Sequence, residues 1–140
     1  MKYFKLLTVL TLCLTVFNSC DESGESGESK IDPDGPELEI TVESFDSQNN
    51  KTKIKLVNRN AEAITSIRGR LNFMDSDGEN LMTATGRIID SPFQKSSNPN
   101  IVKSMEATTF ELKNEIPENT AEIVITEVAA TLKNGDKIGL

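Results

Sequence analysis

The chain of 140 residues carries 15 Lys and Arg against 22 Asp and Glu, a net charge of −7. That balance disfavours nucleic acid as a partner, because phosphate binding needs a clustered basic surface. The sequence holds no His and no Trp, which excludes Ser-His-Asp and Cys-His catalysis and any His-bearing metal site.

The first twenty residues, MKYFKLLTVLTLCLTVFNSC, read as a secretory leader. Lys2 and Lys5 form a basic n-region, and Leu6 to Phe17 carries no charge. That apolar run fits an h-region and falls short of the ~20 residues a membrane-spanning helix needs. An ordinary cleavage site wants small residues in an A-x-A-like pattern, and Phe17-Asn18-Ser19 does not supply it. Ser19 directly before Cys20 instead resembles a bacterial lipobox, in the looser form found in lipoproteins of Bacteroidota. The resemblance implies a leader over 1–19, cleavage before Cys20 and a covalent lipid (palmitate among its acyl chains) on Cys20. Two or three acyl chains hold a protein firmly, at about 0.8 kcal/mol per buried CH2. Cys13 leaves with the leader, so the mature chain keeps one cysteine and forms no intrachain disulfide. Losing Lys2 and Lys5 takes the net charge from −7 to −9.

Residues 20–37 read as a lipidated cysteine followed by an acidic, flexible linker. DESGESGESKIDPDGPE holds one aliphatic residue, Ile31, too little apolar surface to offset the entropy of ordering it. Like charges keep such a tether extended. Asp21 and Glu22, directly after Cys20, resemble the signal that sends Bacteroidota lipoproteins to the outer face of the outer membrane, with the alternative of a merely solvated tether on a periplasm-facing lipoprotein.

From Leu38 to Leu140 the apolar period is two, broken every ten or so residues by turn signals, as in an all-β sandwich or barrel. Leu38, Ile40 and Val42 alternate with polar residues, and Phe45 breaks the alternation at a bulge or strand end. DSQNN (46–50) is a turn cluster. Thr52 to Val57 forms the next strand, stopped by Asn58-Arg59-Asn60. Ile67, Gly69, Leu71 and Phe73 line one face of a strand whose other face carries Arg68, Arg70 and Asn72. Asp75-Ser76-Asp77-Gly78 turns the chain, and Leu81 to Ile89 is expected to return as a strand. SPFQKSSNPN (91–100), with two prolines, is expected as a loop. Thr108 to Leu112 is a strand with Phe110 and Leu112 inward. Ala121 to Leu132 is a central strand bulged near Glu127. Asn134-Gly135 marks a two-residue hairpin leading to a short last strand. About seven strands result, the number of an immunoglobulin-like antiparallel β-sandwich.

The run Leu71-Asn72-Phe73-Met74-Asp75 before Asp77-Gly78, then Thr109-Phe110-Glu111-Leu112, then Glu127 to Leu132 before Asn134-Gly135, resembles the small bacterial Ig-like modules typified by the FxLyD domain. The resemblance covers roughly 38–140 and implies a surface or envelope module with no catalytic residues to carry over.

No catalytic or cofactor motif follows Cys20, and the chain reads as non-enzymatic, with the Cys20 lipid its one attached group. Asp75, Asp77 and Glu79 read as a hairpin turn; an EF-hand calcium loop needs more ligands, with a Glu further downstream. No metal ligands are assigned. Arg68, Arg70 and Arg87 could form a basic stripe for an acidic ligand, with the alternative that cross-strand acids pair them. Phe93, Gln94 and Lys95, in the 91–100 segment, are the candidate binding loop, with the alternative that Phe93 plugs the core. The expected function is a lipid-anchored cell-envelope lipoprotein facing the exterior that binds or assembles with another envelope or surface protein. The second reading is a small carbohydrate-binding accessory protein of a glycan-uptake system. Exposed Trp or Tyr would favour it, and the only Tyr is Tyr3.

Overall fold

The computed structural model describes residues 31–140. The leader, Cys20 and the export residues Asp21 and Glu22 lie outside the described residues. Seven strands follow in order: β1 (Leu38–Asp46), β2 (Lys51–Asn58), β3 (Ile64–Met74), β4 (Asp90–Ser96), β5 (Glu106–Lys113), β6 (Glu122–Leu132) and β7 (Lys137–Gly139). They form two antiparallel sheets, β1-β2-β5 and β4-β3-β6-β7. The sheets pack as a sandwich, with β3 pairing β6 across two intervening strands. The fourth strand lies on the sheet of the third, sixth and seventh.

Period-two alternation puts one face of each strand inside. Ile54, Leu56, Ile64, Ile67 and Leu71 are 0% exposed, and full burial of such a side chain contributes about 1.5–3 kcal/mol. The core has two halves. Leu38, Leu56, Ile64, Ile67, Val102, Val128, Ala130 and Leu132 fill one; Ile54, Leu71, Phe73, Phe93, Ile116 and Ile123 fill the other. Ile40, Phe110 and Ile125 pack against both.

Three bulges tune these faces. In β1 the register shifts between Val42 and Ser44. The extra residue turns Phe45 onto the inner face opposite the buried Thr52, which explains the broken alternation. In β6 one extra residue falls between Thr126 and Ala129, opposite Gly69, and Glu127 there has φ 53°. The expected bulge is therefore present. Near Ile64 the extra residue lies in β3 instead, restoring the alignment that the Glu127 bulge displaces.

Two segments depart from the sequence reading. Residues 81–89 form no strand. The chain turns at Asp75–Glu79 and again at Thr83–Arg87, with only single bridges, Met74 to Asn80 and Met82 to Ile88. Gly78 and Gly86 both have φ 77°, a conformation that strongly favours glycine. The Asp75 carboxylate accepts the backbone N–H groups of Asp77 and Glu79 at 2.9 and 3.0 Å, so it serves the turn. The second departure is 91–96, which is not a loop but most of β4. Proline is tolerated on an edge strand, where one side needs no ladder bond, and Pro92 sits on the edge of its sheet opposite Arg70.

Candidate functional site

The direction of the strands divides the sandwich into two ends. Residues 31–37, the 59–63 and 97–105 connections and the β6–β7 hairpin lie at one end, called proximal. The 47–50, 75–89 and 114–121 connections lie at the distal end.

At the proximal end, polar side chains tie the chain together. Asn58 is 0% exposed; its amide donates to Glu62 O at 2.8 Å and Lys103 O at 2.9 Å and accepts from Asn60 N at 3.1 Å. Arg59 reaches into the segment before β1, donating to Asp32 O at 2.6 Å and Pro36 O at 2.9 Å, and pairs with Glu39 at 2.9 Å. Asp32–Pro36, the end of the stretch read as linker, is thus a turn held by Arg59.

The distal half is less enclosed. Met82 and Ile88, bridged to each other, are 59% and 48% exposed. The edge of β6 from Glu122 to Glu127 has no hydrogen-bonded strand on it among the described residues, because β7 pairs only with Ala129–Thr131. Beside that edge β1, itself an edge strand, leaves a cleft of about 580 Å³ lined by Ile40, Val42, Phe45, Glu43, Ile123 and Ile125. Unpaired backbone next to apolar side chains is what an added strand would cover.

A third surface is the outer face of β4-β3-β6-β7, where the register stacks side chains in rows. Pro92, Arg70 and Thr126 form one row. Gln94, Arg68, Ala129 and Gly139 form the next, and Ser96, Ser66, Thr131 and Lys137 the third. Arg70 is neutralised: its Nε donates to Glu127 at 2.8 Å, and its Nη1 to Asp90. Those two hydrogen bonds, Asp90's first and Glu127's second, raise the Arg70 pKa above its already high ordinary value. The Glu127 bulge aims its carboxylate at Arg70, at the cost of a left-handed backbone of about 1–2 kcal/mol. Arg68 has no carboxylate in its row, and neither it nor Lys137 makes an ion pair among the described residues. Both line a depression of about 140 Å³ with Ser66, Gln94, Ala129 and Thr131. It adjoins one of about 540 Å³ that shares Arg68, Gln94 and Ala129 and extends to Arg70, Pro92 and Glu127.

The candidate loop residues do not act together. Phe93 is 9% exposed and belongs to the distal core, its ring over Gly69, where an added Cβ would come within 2.9 Å of it. Phe93 takes the second of the two readings the sequence left open: alternation along β4 turns it inward to the core. Gln94 points outward into the groove beside Arg68, while Lys95, opposite Ile67, is exposed at the sandwich edge. Arg68 and Arg70 share the outer face as their spacing indicates. Arg87 does not lie across from them; it closes the Thr83–Arg87 turn, where its N–H bonds the Thr83 hydroxyl at 3.1 Å. Lys137, Thr131 and Glu127 were not legible as site residues, since only sheet order brings them to Arg68 and Arg70.

Comparison with protein-family models, with curated proteins and with solved structures finds no match to this chain.

Proposed function

We propose that this protein is a non-enzymatic, lipid-anchored lipoprotein of the bacterial outer membrane that faces the cell exterior and binds another envelope or surface protein. The observation that carries the protein-binding reading is the open seam between β1 and β6, where an unpaired strand edge borders the cleft of Ile40, Val42, Phe45, Ile123 and Ile125. An extended segment of a partner satisfies both needs at once, its backbone pairing with β6 and its alternate side chains filling the cleft. Residues 31–37 join the domain at the proximal end, so a tether from Cys20 leaves the distal half turned away from the membrane. The FxLyD-like order of strands and turns, and the lipobox-like Ser19-Cys20 with Asp21-Glu22 after it, support the envelope setting.

Two measurements test the two parts separately. Labelled palmitate enters the wild type and not Cys20→Ala; equal labelling removes the anchor. A photo-cross-linking residue in place of Glu43, at the seam, yields a discrete protein adduct on intact cells. The same residue in place of Thr109, on the outer face of β5, does not. Identical adduct patterns from both positions, or none from Glu43, would sink the seam as the binding surface.

A further inference from the structure

The Arg68 groove lies on a different surface from the seam and carries a separate inference. Among the described residues Lys51 pairs with Glu111, Lys53 with Glu43, and Arg70 with Asp90 and Glu127, while Lys55, Arg68, Lys95, Lys113 and Lys137 on the strands make no ion pair. Arg68 and Lys55 are the unpaired cations on central strands, and Arg68 shares its depression with a second cation, Lys137. The neighbours of Arg68 across β4 and β6 are Gln94 and Ala129, an amide and a methyl group, so no carboxylate among the described residues answers its guanidinium. One row away Lys137 extends from β7 beside Thr131, and both cations line the same 140 Å³ depression. The floor between them is Ala129, flanked by Gly139, which leaves the space above the sheet open for a ligand group. The opening is of the size of one charged substituent, while the adjoining 540 Å³ depression gives room for the remainder of a larger molecule.

The character of the walls selects the ligand. A planar guanidinium matches a carboxylate or sulfate through two parallel hydrogen bonds, and an ammonium supplies a second point charge. Ser66, Thr131 and Gln94 add hydroxyl and amide groups that donate and accept, which suits a ligand rich in hydroxyls. A protein interface wants a buried aromatic or aliphatic anchor; the apolar residues lining this groove are Pro92, Ala129, Ala130 and Phe93, the last two buried in the core. A neutral sugar would want an aromatic platform, and Phe93 faces the core. We infer that the groove of Arg68, Lys137, Gln94, Ser66 and Thr131 binds an acidic saccharide. Its carboxylate or sulfate lies between Arg68 and Lys137, and its sugar hydroxyls meet Gln94, Ser66 and Thr131. The Arg70–Asp90–Glu127 cluster bounds the other end and disfavours a second anionic group there, so charges on alternate sugar units fit better than a continuous polyanion.

Titration calorimetry on the purified full chain tests this with three probes: a hyaluronan oligosaccharide (a uronate whose carboxylates fall on alternate sugars), the neutral N-acetylglucosamine oligomer of the same length, and an oligoglutamate. The expected result is binding of the uronate alone, weakened by salt and reduced about tenfold or more in both Arg68→Gln and Lys137→Gln. Arg68→Lys should lose most of that affinity as well, because an ammonium cannot make the paired bonds. Lys113→Gln, remote from the groove, serves as the control and should bind as the wild type does. All four substitutions lie on exposed positions, and an unchanged circular dichroism spectrum shows that the fold survives. No heat from the uronate at millimolar concentration overturns the inference. So does equal affinity in the Arg68 and Lys137 variants, or tighter binding of oligoglutamate or the neutral oligomer.

Discussion

The two ends of the sandwich are built by different means. At the proximal end, side chains bond backbone: Asn58 joins the 60–62 and 103 segments, Arg59 holds Asp32–Pro36, and the Ser104 hydroxyl donates to Asn60 O at 2.8 Å. At the distal end the core holds Phe73 and Phe93, closed by Ile116 and flanked by Leu81 and Ile89, yet the polar groups there are less well served. Both side-chain polar atoms of Asn114 are buried without a partner among the described residues, as is Asn80 Oδ1. Met82 and Ile88 stay in solvent, and the seam beside β6 stays open. A buried polar group that is fully bonded fixes one arrangement, whereas an unbonded one or an exposed apolar one lowers the cost of rearranging. The locked end is where residues 31–37 enter the domain, and the open end is the one proposed to meet a partner.

The largest effect that would break this contrast is in the distal core. Phe93→Ala removes a ring packed over Gly69 and should destabilise the domain by about 3–5 kcal/mol, measured by denaturant unfolding. A loss under ~0.5 kcal/mol is the surface-residue value and would place the ring outside the core.

A smaller loss tests the proximal lock. Asn58→Ala leaves the carbonyls of Glu62 and Lys103 without this donor and should cost about 2–3 kcal/mol. Hydrogen exchange sharpens the comparison: amides of 59–63 and 102–104 should open in this variant, while those around Asn114 and Ile116 keep their wild-type rates. Uniform acceleration across the domain would show that the two ends are one unit.

The smallest effect is at the distal β1–β2 turn. The Asp46 carboxylate accepts the Asn49 side-chain amide at 2.6 Å and the backbone N–H groups of Asn49 and Gln48. These bonds, the Asn49 side chain's foremost, hold its pKa below the ordinary 3.8. A carboxylate with a depressed folded-state pKa contributes stability that is present above its unfolded value and lost as pH falls through the folded one. The wild type should therefore exceed Asp46→Asn by a small, constant margin above about pH 5, and the margin should shrink below 3.8. A margin independent of pH down to acid unfolding would assign it to the turn's shape instead of its charge.

Features carried by neighbouring residues were legible before any coordinates. Alternation in Leu38–Val42, Ile54–Leu56 and Ile67–Phe73 exposes the inner face of each strand, because side chains in a strand repeat every two residues. Asp77-Gly78 and Asn134-Gly135 announce their turns, since glycine there takes φ of 77° and 94°. The bulges near Phe45 and Glu127 show as breaks in that alternation. The 81–89 segment misled because its apolar residues suit a strand, whereas two glycine turns eight residues apart leave no room for one. The 91–96 segment misled because proline argues against a central strand and not against an edge, and edges are assigned by sheet order.

The sequence by itself determined the class of fold, the two-residue period of its core and the positions of its sharpest turns, because backbone preference and hydrophobic alternation act over a few contiguous residues. Tertiary packing alone decided that Phe93 is core and that, among the described residues, Arg70 is paired while Arg68 is not and the distal part of β6 has no hydrogen-bonded strand on one edge. Arg68 and Lys137 come to one groove through two strand pairings, β3 with β6 and β6 with β7. Those pairings are set by burial of both sheets against each other and by single-residue bulges, terms that no local stretch of the chain contains.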